Sequence, residues 1–519
     1  MRTSLWKANF IVFMSSTCTL VIELVAGRIL APYIGVSLYT WTSIIGVVLA
    51  GISLGNFAGG RLADRKASPG VLGLLFFLGG LATLGILLAT SWVTTMPLSY
   101  NFANYTITIS LIEKIVLFTT IVFFLPCFIL GMVSPVVVKL TLKDLGEAGN
   151  VVGMIYAFGA AGSILGTFLT GFILISSLGS RTIIWVVALV LILMGIIFGE
   201  YWKVWRKETA PVVGLIILAY GIPFSGFRDR AELKAPCIIE SNYYCIYVYE
   251  TKLDDGRPVQ ALVLDHLIHS YNSLDDPSSL GYGYERIYAE VTDYLSQTKK
   301  GLRSLSIGGG GYTFPRYMEA VYPDSSIDVA EIDPAVTRIA HERLGLSPDT
   351  RIRTFNGDAR AFFINETVQE KYDLAFGDAF NDLSVPYHLT TREFDTLVRS
   401  SLKDDGILMA NIIDKFKGGA FLGAYMKTAR EVFPYVYLLG PGPVWEYGSA
   451  STYVVMASMQ PFDVEAFKAH ISNGKTPFTA VLEPERLDDH LAGNPFITLT
   501  DDYAPVDNLI APLFVERGY

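Results

Sequence analysis

Hydrophobic positions divide the chain into two unlike parts. Across residues 1–227 long apolar runs follow one another with few charges between them, whereas residues 228–519 mix short apolar runs with polar stretches as a globular domain does. A bilayer-crossing helix needs about 20 apolar residues, because in lipid the backbone must satisfy its own hydrogen bonds. Runs near 8–30, 38–60, 71–95, 116–140, 151–175 and 182–201 reach that length, and a seventh at 211–227 is broken by Gly214, Gly221, Pro223 and Gly226. The pattern predicts a polytopic α-helical membrane domain of six or seven spans. The first run is long and carries Glu23 and Arg28, so it is not read as a cleaved signal peptide. Gly159, Gly162, Gly166 and Gly171 in the fifth are spaced for close helix contact, and the uniformly apolar sixth, Ile183–Phe198, predicts a lipid-facing helix.

The second part changes period. Cys237–Glu250 is aromatic and β-rich, Asp255-Gly256 is a hairpin turn, and Val259–Leu264 is the returning strand. Further on, Leu302–Ile307, Ile327–Ala330, Ile352–Phe355, Tyr372–Gly377 and Gly406–Ile413 read as strands separated by helices. That alternation predicts a parallel, doubly wound sheet with ligands at the carboxyl ends of its strands. Three domains follow: a membrane domain over 1–227, a small β-hairpin part over 228–298, and a Rossmann-like α/β domain over 299–519.

Composition agrees with the division. The 519 residues are 51% hydrophobic and 17% charged, with a mean hydropathy of +0.41, more apolar than a typical soluble chain. The formal charge of −9, with no basic-aromatic stretch, predicts no nucleic-acid partner. Of four cysteines, Cys18 and Cys127 lie in apolar spans as packing residues; Cys237 and Cys245 are near enough in sequence to bridge, which spacing alone leaves open. Lys and Arg cluster before the first span and after the second, fourth and sixth, so the positive-inside rule puts the N-terminus in the cytoplasm. With seven crossings the second half would then lie outside. If 211–227 does not cross, that half is cytoplasmic, which is the expected placement. Glu23 and Arg28 either reach the interface, pair with each other, or mark a functional group at membrane depth.

The chemistry sits at strand ends. Gly308-Gly309-Gly310-Gly311 joins a strand to a helix, where glycines let a ligand approach backbone and helix N–H groups. Thr313 stands where a dinucleotide fingerprint wants its third glycine, which argues against that cofactor. Glu331 ends the second strand, where a carboxylate can accept both ribose hydroxyls. Asp358, followed by Ala359, ends the third and would accept from an adenine amino group; Asp378 ends the fourth beside the expected reaction centre. His266 and His269 lack a third ligand, so no metal is expected. His388 beside Tyr387 could gate an acceptor pocket, and Asp501-Asp502-Tyr503 is either a solvated turn or a cover over the site.

These motifs resemble those of the membrane-fused polyamine aminopropyltransferases, also called fused transporter/spermidine-synthase proteins. The likeness runs from Ile22-Glu23-Leu24-Val25-Ala26-Gly27 through Glu240 to about Ala457. It implies transfer of an aminopropyl group from decarboxylated S-adenosylmethionine, a co-substrate rather than a resident cofactor, to a putrescine-like amine, with release of methylthioadenosine. It also implies a multi-pass inner-membrane location with lipid as a partner, and a homodimer is among the expectations. By this resemblance Leu264-Asp265-His266-Leu267-Ile268-His269 matches Leu-Asp-Gly-x-x-Gln, with Asp265 at the substrate and His269 at the donor. Gly308, Gly310, Glu331, Asp358 and Ala359 hold the nucleoside, while Asp378 deprotonates or orients the amine.

Several positions depart from the family. The glycine loop continues Gly311-Tyr312-Thr313 where Asp-Gly-Gly is usual, Asn381 then Asp382 replace the second aspartate of Asp-Ser-x-Asp-Pro, and Gly283-Tyr284-Glu285-Arg286 replaces the Tyr-His-Glu motif. Tyr284, Asn381, Asp382, Tyr387 and His388 are the expected substrate contacts. Fewer acids would admit the carboxylate of intact S-adenosylmethionine, giving methylthioadenosine by transfer or cleavage. A methyltransferase using the same pocket is a second reading. A third is a transporter or sensor in which the pocket binds a regulatory nucleoside or polyamine; Gly59-Gly60-Arg61-Leu62-Ala63-Asp64-Arg65 resembles the short loop between the second and third helices of major-facilitator transporters.

Overall fold

The computed structural model of the chain describes residues 4–93, 99–102, 105–108, 111–142, 144–199, 237–365, 371–379, 385–472 and 477–516. It forms two units, one within Met1–Pro236 and one over Cys237–Arg517. The expected seventh run at 211–227 and the expected boundary at Phe227 lie outside the described residues.

The first unit is helical: α1 (Leu5–Ile34), α2 (Leu38–Lys66), α3 (Pro69–Val93), α4 (Leu111–Gly131), α5 (Val133–Thr141), α6 (Ala148–Leu169), α7 (Ile175–Leu178) and α8 (Ser180–Phe198), with a hairpin β1 (Ser99–Phe102)–β2 (Tyr105–Thr108) between α3 and α4. The pair α4–α5 forms one span that turns at Met132, and α6 runs through a π-helical turn, Thr170–Leu174, into α7. Among the described residues six helical segments are long and apolar enough to cross a membrane. The first carries most of the packing: Val21, Ile22, Val25 and Ala26 are buried, and the helix touches α6, α8 and α5.

Close approach is set by glycine, since lipid offers no hydrophobic drive between helices. A methyl group at Gly162 of α6 would lie 2.1 Å from the Phe13 carbonyl oxygen of α1, and one at Gly166 would lie 2.6 Å from that of Thr17. Thr17 Oγ1 then donates across the contact to the Gly162 carbonyl at 3.0 Å. The spacing that predicted contact thus makes it. The lipid-facing expectation for the sixth span holds for one side only: α8 exposes Val186, Leu189, Leu193 and Ile197, but buries Ile183, Ile184, Val187, Ala188 and Leu191, packing mainly on α3. A uniformly apolar helix has no polar stripe to tell a protein-facing side from a lipid-facing one.

In the second unit β3 (Ile239–Glu240), β4 (Cys245–Lys252), β5 (Pro258–Leu264) and β6 (Leu267–Asn272) form an antiparallel sheet. A disulfide joins Cys237 to Cys245 at its start. Next come α9 (Gly283–Ser296) and an alternating series: β7 (Arg303–Ile307), α10 (Thr313–Val321), β8 (Ser326–Glu331), α11 (Pro334–Arg343), β9 (Arg353–Asn356), α12 (Ala359–Asn365), β10 (Tyr372–Gly377), α13 (Arg392–Ser401) and β11 (Leu402–Asp414). The last strands are β12 (Tyr435–Pro441), β13 (Ser451–Ser458) and β14 (Thr479–Val481). The sheet order is β14-β12-β13-β11-β10-β7-β8-β9.

The five expected strands, β7 to β11, are parallel, while β13 pairs antiparallel with β11 and β12, and β12 with β14. The wholly parallel sheet is therefore corrected to a mixed one. Strand order reverses between β7 and β10, where chain segments leave in opposite directions and open a crevice. Beneath it Phe376 meets Phe314 at 4.7 Å and Tyr288 at 5.0 Å between ring centroids. Each such buried ring contributes about 1.5–3 kcal/mol.

Replacing Gly162 by Val should push α1 and α6 apart and cost about 1–3 kcal/mol, as overpacking does. Thermal melting of the full chain in detergent would report it. Gly149→Val, whose added carbons meet nothing nearby, should melt like the parent.

Candidate active site

The crevice between β7 and β10 holds a cavity of about 120 Å³ lined by Gly308, Gly310, Glu331, Asp358, Asp378 and His388, among others. A smaller recess of about 20 Å³ continues under the glycine loop to Tyr284, Glu285 and Thr313. Their shared residues are His269, Gly308, Gly310 and Asp378.

The loop's shape follows from its neighbours. Gly308 (φ +95°) and Gly310 (φ +47°) adopt conformations that favour glycine, and a methyl at Gly308 would come within 2.8 Å of the Asp378 carbonyl oxygen. Glu331, buried at the end of β8, draws the loop inward: Oε2 accepts from the N–H groups of Gly309 (2.8 Å) and Gly310 (3.3 Å), and Oε1 from that of Asp333 (2.9 Å). Burial pushes its carboxyl up, and these N–H groups pull it back down only in part. A carboxylate offers about four acceptor sites, so these backbone donors leave room for roughly one more. Two ribose hydroxyls could then bind only by sharing with, or displacing, a loop amide.

Asp358 caps α12, its Oδ1 accepting from Arg360 N (2.9 Å) and Ala361 N (3.1 Å). Its Oδ2 lies 2.8 Å from His388 Nε2. Burial acts to raise its pKa, but the His388 bond and the N–H groups outweigh that and hold it below the usual carboxylate range. His388 sits on a short 3₁₀ turn, Tyr387–Leu389. Arg360 holds this turn by donating to the His388 carbonyl (3.1 Å) while its guanidinium pairs with Asp501. Asp501 also accepts from Thr391 Oγ1 at 2.8 Å. Asp501 thus braces the cavity wall instead of lying over its opening.

Asp378 is half-buried where the cavity and the recess meet. Its Oδ2 accepts from Tyr284 Oη (2.7 Å) and its Oδ1 from Asn411 Nδ2 (2.9 Å). Burial pushes its pKa up to about 6 against both hydrogen bonds. Glu285 of α9 is buried in the adjoining recess, where Oε2 accepts from Tyr282 N at 3.1 Å. Burial first, and the nearby Asp378 charge to a lesser degree, push it up to about 8. Below the glycine loop Tyr312 Oη contacts the hydroxyls of Thr337 and Thr354 and so supports the loop from beneath, while Gly311, where an aspartate is usual, is closed in by Ser270 and Asn272.

Gly308, Gly310, Glu331, Asp358, Ala359, Asp378, His269 and His388 line the main cavity, and Tyr284 the recess. Asp265 lines neither. It occupies the β5–β6 turn at φ +57°, and its Oδ1 accepts from Cys245 N at 3.0 Å. Tyr387 is exposed beside the cavity, its ring against that of His388, and Asn381 and Asp382 lie outside the described residues. Sequence reasoning missed Glu285 and the lining pair Tyr243 and Tyr244. For Glu285 the signal was an acid within an otherwise apolar face, with Tyr284, Ile287, Tyr288 and Val291 buried around it.

No family model matches the chain. Sequence similarity instead links it to polyamine aminopropyltransferases. A protein of that description from Vibrio vulnificus is 36% identical over 132 residues, which cover 24% of this chain and 44% of that protein. A probable polyamine aminopropyl transferase from Bifidobacterium longum is 31% identical over 109 residues, 21% of this chain and 24% of the relative. The chain thus matches less than half the length of either. Polyamine aminopropyltransferase 2 of Streptomyces coelicolor is 25% identical over 421 residues, 76% of this chain and 72% of that one. An alignment of that length extends beyond the second unit into the apolar half. Among solved structures, a probable spermidine synthase from Corynebacterium glutamicum superposes with a TM-score of 0.45 at 21% identity, over 52% of this chain and 97% of that one.

The raised carboxyl of Glu285 gives a stability test. Its folded pKa exceeds the ordinary carboxylate value, so its favourable contribution is complete at acidic pH and is lost as pH rises through about 8. Amide exchange in α9 should therefore speed up between pH 6 and about 9 beyond the intrinsic increase, and Glu285→Gln should flatten that extra rise. An unchanged slope in the variant would remove Glu285 as its source.

Proposed function

We propose that the second unit is a spermidine-synthase-like transferase that moves an aminopropyl group from decarboxylated S-adenosylmethionine to an amine and releases methylthioadenosine. The observation that carries this reading is the juxtaposition of half-buried Asp378 and buried Glu285 with a glycine loop and two further strand-end acids in one crevice. The names of the sequence relatives point the same way. In this reading Glu331 and Asp358 receive the nucleoside, with His388 yielding its bond to Asp358, and His269 and Ala359 border it.

The chemistry requires a neutral amine. Asp378, with a pKa of about 6, is ionised at neutral pH and can take a proton from the acceptor ammonium, while Tyr284 and Asn411 fix its two oxygens. The freed nitrogen lone pair attacks the methylene carbon beside the sulfonium. The new C–N bond forms as the C–S bond breaks, and its electron pair returns to sulfur as neutral methylthioadenosine. Tyr387, Asn381 and Asp382 belong to the proposed acceptor side; Asp265 would act through the β5–β6 turn.

For the donor, the recess lining includes two acids and no Lys or Arg. That favours a cationic tail over the carboxylate of the intact sulfonium. Intact S-adenosylmethionine stays as a second reading because Gly311 occupies the place of the donor-binding aspartate.

Full-length protein given decarboxylated S-adenosylmethionine and putrescine should form methylthioadenosine, with kcat rising as pH increases through about 6. Asp378→Asn should lower kcat about 10²–10⁴-fold, the range for losing a general base. No methylthioadenosine from either donor would sink the proposal. S-adenosylhomocysteine from the intact donor would establish a methyltransferase instead.

We place the first unit across the inner membrane and the second on the cytoplasmic face, supported by the positive loops and by an even number of described spans. The Cys237–Cys245 disulfide favours the opposite face, since such bonds persist mainly in oxidising compartments. Maleimide labelling of an introduced Ser400→Cys in intact cells decides between them. The cytoplasmic placement expects labelling only after permeabilisation, and labelling from outside would reverse it.

A further inference from the structure

The proposed reaction makes no use of the covalent cross-link beside its cavity. The Cys237–Cys245 disulfide closes a short ring, with a sequence separation of 8. A cross-link over so short a loop removes less chain entropy than a long-range one, so it adds less to global stability. Disulfides serve chiefly domains too small to build a sufficient core. The second unit buries an extensive core through Val329, Leu374, Phe376 and Met409. The consequence of the bond is therefore local.

The ring ends in the cavity wall. Tyr243 and Tyr244 line the crevice together with Glu331 and Asp358. Both tyrosine N–H groups donate to Ser241 Oγ, at 3.0 and 2.9 Å, and Ser241 Oγ donates in turn to Asp333 Oδ2. Asp333 N donates to Glu331 Oε1 at 2.9 Å, so the ring is tied to the acid that draws in the glycine loop. Its strand pairing is short: β3 is an edge strand of two residues, with Ile239 opposite Ile246 and Glu240 opposite Cys245. The two cysteines differ in their hold. Cys245 is buried in β4, where its N–H donates to Asp265 Oδ1 at 3.0 Å and its carbonyl accepts from Asp265 N at 2.9 Å. Cys237 is only half-buried, which makes it the accessible partner.

We infer that the Cys237–Cys245 pair is a thiol–disulfide exchange site that sets the affinity of the crevice for its nucleoside, with a dithiol as the reducing partner. One thiolate of the dithiol attacks Sγ of Cys237, and Cys245 leaves as a thiolate that takes up a proton. The second thiol then displaces the Cys237 sulfur, which is protonated in turn, and the reductant departs as its own disulfide. Two electrons and two protons pass to the pair. Cys245 stays fixed by Asp265, while the Cys237 end of the ring is released. Ser241 then loosens from Asp333, and the wall formed by Tyr243 and Tyr244 loses its anchor. The oxidised protein is the tight-binding form. On a cytoplasmic face disulfides are mostly transient and redox-sensing, which is the behaviour this bond would show there. The nucleoside as ligand rests on the proposed reaction; the clasp does not.

The test uses the full chain in detergent, with methylthioadenosine titrated by calorimetry before and after reduction by dithiothreitol. The mass of maleimide adducts verifies that both thiols are free. Reduction should raise Kd about fivefold or more, and reoxidation with diamide should restore it. Cys237→Ser with Cys245→Ser should bind like the reduced parent and ignore the reductant, whereas Cys18→Ala with Cys127→Ala should respond as the parent does. Ser241→Ala keeps the disulfide but cuts the tie to Asp333, so it should bind weakly in both forms. On the same samples amide exchange over residues 238–244 should speed up about tenfold on reduction, with α13 unchanged. Equal affinity in a fully reduced parent would overturn the inference, as would a serine double variant that still weakens with dithiothreitol. If methylthioadenosine binds neither form, the nucleoside reading fails and exchange judges the clasp: equal rates over 238–244 in both forms would overturn it too.

Discussion

The second unit depends on one buried carboxylate holding backbone N–H groups. Glu331 is inaccessible at the end of β8, and a charge there is costly unless hydrogen-bonded. Gly309, Gly310 and Asp333 supply those bonds, and in doing so they draw the glycine loop across the strand ends. The loop's inward position brings Gly308 against the Asp378 backbone, where no side chain could fit. The cavity, the loop and the approach of Gly308 to Asp378 are therefore set by a single local balance between burial and hydrogen bonding. Any ligand hydroxyl reaching Glu331 must enter that balance.

A second arrangement tunes the acids apart. Asp358 is half-open, carries two backbone donors and a histidine, and stays below the usual carboxylate range. Glu285 is buried and Asp378 half-buried with only two side-chain donors, and loss of solvation lifts both. Acids of one residue type thus come to differ by environment, the general route to separate roles in one site. The Arg360–Asp501 pair extends the arrangement outward by fixing the turn that carries His388.

The first unit obeys different physics. Its helices approach where glycine permits backbone contact, Thr17 hydrogen-bonds within the α1–α6 seam, and further serine and threonine side chains line a cavity between the helices.

Much of this was legible in the order of residues alone. Apolar runs of spanning length, glycine spacing on the fifth span, and acids following short β-type runs are local patterns, and local patterns report helices, strands and strand ends. The sequence by itself therefore determined the two-part division, the five parallel strands and the places of Glu331, Asp358 and Asp378. Other features depend on partners distant in sequence. Glu285 became a site residue only because α9 lies beside β10, and Asp265 was taken up by Cys245 across a strand pair. The antiparallel edge, the buried side of α8, the disulfide and the hydroxyl-lined cavity were likewise decided by tertiary structure. The reason is physical: periodicity records which face of an element is apolar, whereas the identity of the element covering that face is fixed only when the chain packs.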